Sequence, residues 1–149
     1  MKAICILIFF AIQCKNVAKD EVLPTSNPIQ INEFILKKKV IETGDIQAYE
    51  NLYNSYLASP IPQELLFYSL YMADQYNYVQ ANYDVFANVT LLCKYRKKAL
   101  TDDMAKLAID NLIKASDLGH HQATLKVKEF KIDKHSKPID VFKALLAEE

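Results

Sequence analysis

Residues 44–48 read GDIQA, residues 77–81 read NYVQA and residues 119–123 read GHHQA. Gly44, Asn77 and Gly119 open the three copies; Ala48, Ala81 and Ala123 close them. The apolar spacing on both sides of each copy is helical, so each marks a place where one helix stops and another starts. A stop of this kind favours a residue that tolerates positive φ, which glycine does freely and asparagine better than most. The alanine four positions on is small enough to let the second helix approach the first. Leu52, Val85 and Val127 follow four positions later, on the same face as the alanine. The repeated letters therefore predict a helix–turn–helix hairpin, written three times.

The flanking sequence fits that frame. INEFILKKKVIET (31–43) places Ile31, Phe34, Ile35 and Ile41 on one side, with Lys37, Lys38 and Lys39 mostly toward water. Asp45 is a good N-cap for the helix that follows. Ser59, Pro60 and Pro62 break the chain and reopen it as QELLFYSLYMADQY, apolar on nearly every side and so expected as a buried central helix. YVQANYDVFANVTLLC runs to about Cys93, KYRKKALT interrupts, and Thr101 or Asp102 caps DMAKLAIDNLIKASDL. HQATLKVKEFK forms the next helix, and Ser136 and Pro138 open a last one.

Composition points the same way. The chain of 149 residues allows one ordinary domain, and its 18 basic and 18 acidic residues set up no global field to draw in nucleic acid or acidic membranes. Only two glycines occur, far fewer than the turns of a compact β or doubly wound α/β domain demand. The expected fold is all-α: about three hairpins and a C-terminal helix over residues 31–149, stacked as a short α-solenoid.

The copies start 33 and then 42 residues apart, at 44, 77 and 119. The first interval is close to the tetratricopeptide period, and the second is longer by about the length of KYRKKALT, which reads as an inserted loop. LAIDNLIKASDLGHHQA (107–123) resembles the core of a Sel-like repeat, a branch of the tetratricopeptide-like repeats. Its matching letters are Ala108, Lys114 with Ala115, Gly119 and Ala123. IETGDIQAYENLYNSY (41–56) matches the second half of the pattern, while the middle copy has lost its glycine and the family's glycine-rich loop is absent. The resemblance implies a stacked helical surface that binds other proteins.

The N-terminus reads as an address. Lys2 precedes AICILIFFAI (3–12), an apolar run too short for a bilayer core of roughly 30 Å and suited to a secretory signal. AIQC (11–14) resembles a bacterial lipobox, with Gln13 where that signal prefers Gly, Ala or Ser. The resemblance implies that residues 1–13 are removed and that Cys14 is lipidated. The alternative is an ordinary signal peptide, for whose cleavage site Asn16 and Ala18 are poor. Residues 14–30 have the polar, proline-bearing composition of a tether. Loss of Cys5 and lipidation of Cys14 would leave Cys93 as the free cysteine, with no intrachain disulfide. The expected location is outside the cytoplasm, on a bacterial membrane, facing the periplasm or the cell surface, with the membrane touched only through the lipid.

Catalytic signatures are scarce. Gly44 and Gly119 are too far apart for a phosphate loop. His120 and His121 are adjacent, so on a helix they point about 100° apart and do not share a metal face. Asp102–Asp103 and Glu148–Glu149 suit helix ends better than acid–base work. No cofactor or metal is expected. Nine tyrosines occur, and Tyr68, Tyr71, Tyr76, Tyr78 and Tyr83 crowd the middle hairpin, as core residues of a thin stack or as a binding surface. The functional expectation is a non-enzymatic module that binds another protein, with Tyr68, Tyr71, Tyr78 and Tyr83 as anchors. Lys94, Arg96, Lys97 and Lys98 would steer an acidic partner. An immunity protein against a periplasmic toxin is one specific form of that reading, and a small enzyme with an unrecognised site is the competing class.

The anchor has a direct test. Cys14→Ser should turn a protein that needs detergent into one that is soluble or unprocessed. Water-soluble wild-type protein with no lipid mass on Cys14 would remove the lipoprotein reading.

Overall fold

Helices account for the regular structure of residues 28–57, 62–95, 99–133 and 135–148, which the computed structural model describes. They are α1 (Pro28–Thr43), α2 (Ile46–Leu57), α3 (Pro62–Gln75), α4 (Val79–Tyr95), α5 (Asp102–Asp117), α6 (His121–Glu129) and α7 (Pro138–Glu148), with no strand among the described residues. α1 packs on α2, α3 on α4 and α5 on α6; α2 against α3 and α4 against α5 join successive hairpins, and α7 closes the end on α5. The fold is an all-α stack of three hairpins and a C-terminal helix.

Each hairpin turn rests on a left-handed residue. φ is +61° at Gly44, +50° at Asn77 and +89° at Gly119. The Gly44 amide donates to the Val40 carbonyl (3.1 Å), the single bond of an αL cap. At Gly119 two bonds form, Gly119 to Ser116 (2.9 Å) and His120 to Ala115 (2.9 Å), which is a Schellman cap. Lys131 makes a further left-handed stop after α6, with φ +50° and the Ile132 amide on the Val127 carbonyl at 3.0 Å. No glycine or asparagine announces that stop in the sequence.

The starts of helices are satisfied by side chains. Asp45 Oδ1 accepts the Ala48 amide (2.9 Å) and Thr101 Oγ1 accepts the Met104 amide (3.2 Å). At α6 the cap is an imidazole: His120 Nδ1 accepts the Ala123 amide at 3.2 Å. Ala48, Ala81 and Ala123 are buried where the paired helices meet, with Leu52 and Val85 beside the first two; Val127 is half-buried.

Two cores result. Val40, Tyr49, Leu52, Leu65, Met72 and Val85 form one; Phe86, Ile109, Leu112, Phe142 and Leu145 centre the other. α4 serves both, since adjacent Val85 and Phe86 point into different clusters.

The structure corrects the sequence reading at α1 and α3. α1 starts at Pro28, so residues 28–30 belong to a helix rather than to the tether. Phe34 and Ile35 lie outward, 68% and 47% exposed, while Val40 is buried and Leu36 half-buried. Among the described residues, α1 packs mainly on α2, with a smaller contact to α3. Its lysine face turns partly inward there, because Lys37 Nζ finds Glu33 (2.6 Å) and Glu64 (2.9 Å). α3 is not buried all round either, since Phe67 is 55% exposed.

The two glycine turns differ in surroundings. A Cβ on Gly119 would meet nothing within 4 Å, whereas one on Gly44 would lie 2.5 Å from the Tyr76 ring. Gly119→Ala should therefore cost about 1 kcal/mol, from positive φ alone, and Gly119→Asn less. Gly44→Ala should cost more, and pairing it with Tyr76→Ala should cut its penalty to the Gly119 level. Equal losses at the two glycines in denaturant melts would contradict this, as would an unchanged Gly44 penalty in the Tyr76→Ala background.

Candidate functional site

The four tyrosines expected as anchors do not form one surface. Tyr68 and Tyr71 belong to α3, in a row of rings with Phe67: Phe67 and Tyr68 meet edge to face at 5.1 Å, and Phe67 and Tyr71 stack at 6.3 Å. Tyr71 and Tyr76 both donate their hydroxyls to the Ile41 carbonyl, at 3.0 and 3.3 Å. That carbonyl lies in the last turn of α1, where helix carbonyls lack an intrahelical donor. Tyr78 and Tyr83 extend from the other side of the hairpin. Tyr78 donates to Glu50 on α2 (3.0 Å), and the Tyr83 ring stacks on His120 at 4.3 Å. Lys94 is half-buried in the last turn of α4. Arg96, Lys97, Lys98 and Cys14 lie outside the described residues.

Two depressions flank this hairpin. One, of about 400 Å³, is walled by α3 and α5 and lined by Phe67, Leu70, Tyr71, Leu107, Asn111 and Lys114. Lys114 Nζ reaches across it to the Ala73 carbonyl (3.2 Å), a cation on the last turn of α3. The other, of about 340 Å³, is walled by α2 and α4, with Tyr49, Glu50, Tyr53, Tyr78, Gln80 and Asp84 in its lining.

Asp84, at the second cleft, is 3% exposed. Its carboxylate accepts the Tyr49 hydroxyl (2.7 Å) and the Gln80 side-chain amide (2.9 Å), with Tyr53 as a further donor. Burial pushes its pKa above the ordinary carboxylate range, and the bonds from Gln80, Tyr49 and Tyr53 only partly offset this. Burial likewise raises the tyrosines around it; Tyr78, also bonded to Glu50, is pushed up to about 12. Gln80 is itself held, its carbonyl oxygen 3.0 Å from His120 Nε2. His120 Nδ1 accepts the Ala123 amide, so the proton of the neutral ring is on Nε2 and points at Gln80. Burial, then His121, lowers the His120 pKa and favours that neutral form.

The sequence reading missed Tyr49, Tyr53, Gln80 and Asp84. The available signal was polarity on a buried face: Asp84 and Asn88 are four apart, beside the apolar positions Ala81, Val85 and Val89. Among the described residues, no group of three His, Cys, Asp or Glu is placed to hold a metal ion. Cys93 does not gain the lowered pKa of a reactive thiol; burial raises it. No helix among the described residues is long and apolar enough to cross a membrane.

Compared with known proteins, the chain matches no family model, no curated protein and no solved structure.

The raised Asp84 pKa fixes the sign of a pH effect. A carboxyl that binds its proton more tightly when folded contributes stability below its unfolded value, near 3.9. That contribution is lost as pH rises through the raised folded value. Asp84→Asn removes the titration, so its melting temperature should exceed that of wild type at pH 7, with the gap closing as pH falls toward 4. A gap independent of pH in paired thermal melts would show that Asp84 is not destabilised by its charge.

Proposed function

We propose that this chain is a non-enzymatic protein-binding module of the Sel-like or tetratricopeptide-like kind, held outside the cytoplasm by a lipid on Cys14. One observation carries the binding part: the groove between α3 and α5 is open, lined by both apolar and polar side chains and flanked by an aromatic residue that the fold leaves in water. Phe67 is over half exposed beside Tyr71, Leu70 and Leu107. A monomer gains little by presenting such a ring, whereas an interface anchor is typically an aromatic set beside a pocket. The groove suits a helix or an extended segment of the partner. Ala108, Ala115 and Ala123, three letters of the Sel-like resemblance, are fully buried helix contacts, which supports the repeat reading. The basic segment from Lys94 to Lys98 is proposed to speed association with an acidic patch on the partner.

The experiment is capture of the partner by crosslinking in membrane extracts, followed by affinity measurement with purified components. Phe67→Ala should weaken binding about tenfold or more, chiefly through faster dissociation. It should leave the melting transition nearly unchanged, since over half of the ring is already in water. A captured partner that binds wild type and Phe67→Ala equally would sink the groove as the binding surface.

A further inference from the structure

The cleft between α2 and α4 has a chemistry of its own. Tyr49, Tyr53 and Tyr78 surround it at steep mutual angles: Tyr49 and Tyr78 meet edge to face at 5.8 Å, and Tyr49 and Tyr53 are tilted at 6.1 Å. Asp84 and Glu50 bring two carboxylates to the same lining. The wall donors are largely spent on those carboxylates. Tyr49 and Gln80 donate to Asp84, and Tyr78 donates to Glu50. What the phenols and carboxylates still offer a ligand is lone pairs and ring faces.

The donors that hold Asp84 are all neutral, although the group is almost wholly buried. A buried carboxylate held only by neutral donors is costly, and a cation beside it offsets that cost. An anion would meet two carboxylates, and a neutral acceptor would find few free donors. A cation that donates hydrogen bonds meets the acceptors and the aromatic faces together. The volume of about 340 Å³ exceeds a bare ion and admits an aliphatic stem with its charged head.

We propose that this cleft binds an alkylammonium or guanidinium group, presented as a lysine or arginine side chain of the partner protein. The proposal rests on the protein-binding reading and names the residue class that one part of the interface takes. The charged head sits against Asp84 and Glu50, and its stem lies between the rings of Tyr53 and Tyr78. Gln80, fixed by His120, acts as a positioning residue that keeps Asp84 turned to the cleft. The cleft residues Gln80 and Asp84 and the described basic residue Lys94 lie toward opposite ends of α4. The sixteen helical residues from Val79 to Lys94 span about 24 Å, so one partner can be basic at one end and acidic at the other.

The test is an NMR titration that follows the tyrosine ring signals of the full domain. The probes are the blocked peptides acetyl-Gly-Lys-Gly-amide and acetyl-Gly-Arg-Gly-amide, the Nε-acetyl form of the lysine peptide, and n-butylammonium. Saturable shifts of Tyr53 and Tyr78 are expected with both charged peptides, and binding at least tenfold weaker with the acetylated one. Glu50→Gln, an exposed change that leaves the fold intact, should weaken the charged peptides severalfold, and Asp84→Asn at least tenfold. Equal binding of charged and acetylated peptides would overturn the proposal. So would unshifted tyrosines with all probes, or full affinity in both carboxylate variants. n-Butylammonium should bind more weakly than the peptides; equal affinity would assign the site to free amines and overturn the partner side chain. Phe67→Ala should leave the probe titrations unchanged. A cleft that ignores cations, with partner binding still sensitive to Phe67, would thus end this proposal and spare the module reading.

Discussion

The Tyr49 hydroxyl sits where three helices meet. From α2 it donates to Asp84 on α4 at 2.7 Å and lies 2.9 Å from Ser69 Oγ on α3. Its single proton goes to the charged acceptor, the stronger of the two bonds. Ser69 then divides its own proton between Tyr49 and the Leu65 carbonyl (2.9 Å), and accepts from the Asn88 amide at 3.1 Å. This buried network crosses the boundary between the first and second hairpins, where α2 and α3 otherwise meet along a short contact. Apolar packing there resists separation but permits sliding. A set of bonds of fixed direction fixes the register of one hairpin on the next, a specifying role known for some buried polar networks. Among the described residues the buried Asn88 side-chain oxygen finds no hydrogen-bond partner, so the network is not fully satisfied.

A second tie holds the outer helix. The Tyr56 hydroxyl on α2 lies within hydrogen-bond distance of Glu33 on α1 (2.8 Å) and of Glu64 on α3, its single proton serving one carboxylate at a time, and Lys37 bonds both carboxylates. These groups are partly exposed, so each ion pair contributes little by itself. Together they close a ring across α1, α2 and α3, which explains why Lys37 leaves the water-facing side its neighbours keep. The bonds spend side-chain charge on the end of the stack whose outer face still carries Phe34 and Ile35.

The turns and the small residues were legible in the sequence because their causes are local. Positive φ at Gly44, Asn77 and Gly119 follows from what each residue tolerates, and the alanines follow from helical geometry four residues on. Asp45 and Thr101 cap for the same local reason. What escaped the sequence depends on distant neighbours. Periodicity alone put Phe34 and Ile35 inward; among the described residues α1 packs on α2 and α3 through another face, the one that buries Val40. Lys131 adopts a left-handed stop that its side chain does not favour, under the pull of the Ile132 amide on Val127. The tyrosines were legible as a crowd but not as two sets. The deciding fact is that the rings go to different neighbours: Tyr71 of α3 to α1, Tyr78 just before α4 to Glu50 of α2, and Tyr83 of α4 to His120, the cap of α6.

Asp84 joins the two sides of this structure. A leucine in its place would pack without a charge penalty, and the Tyr49 hydroxyl would still have Ser69. The chain instead keeps a carboxylate at 3% exposure, held by three neutral donors and fixed through Gln80 to the imidazole that caps α6. The same network therefore runs from the first hairpin through the second to the third. Such an arrangement is costly in the free protein and loses that cost when a counter-charge arrives, because a ligand that relieves a penalty present only without it gains that much differential affinity. Stability given up at one carboxylate, in a stack otherwise closed by apolar contacts, is what a binding cleft requires of its scaffold. By that reasoning the register-fixing network and the cleft are one feature: the bonds that align the hairpins are also the bonds that hold the buried carboxylate at the wall of the cleft and leave its phenol neighbours free to accept.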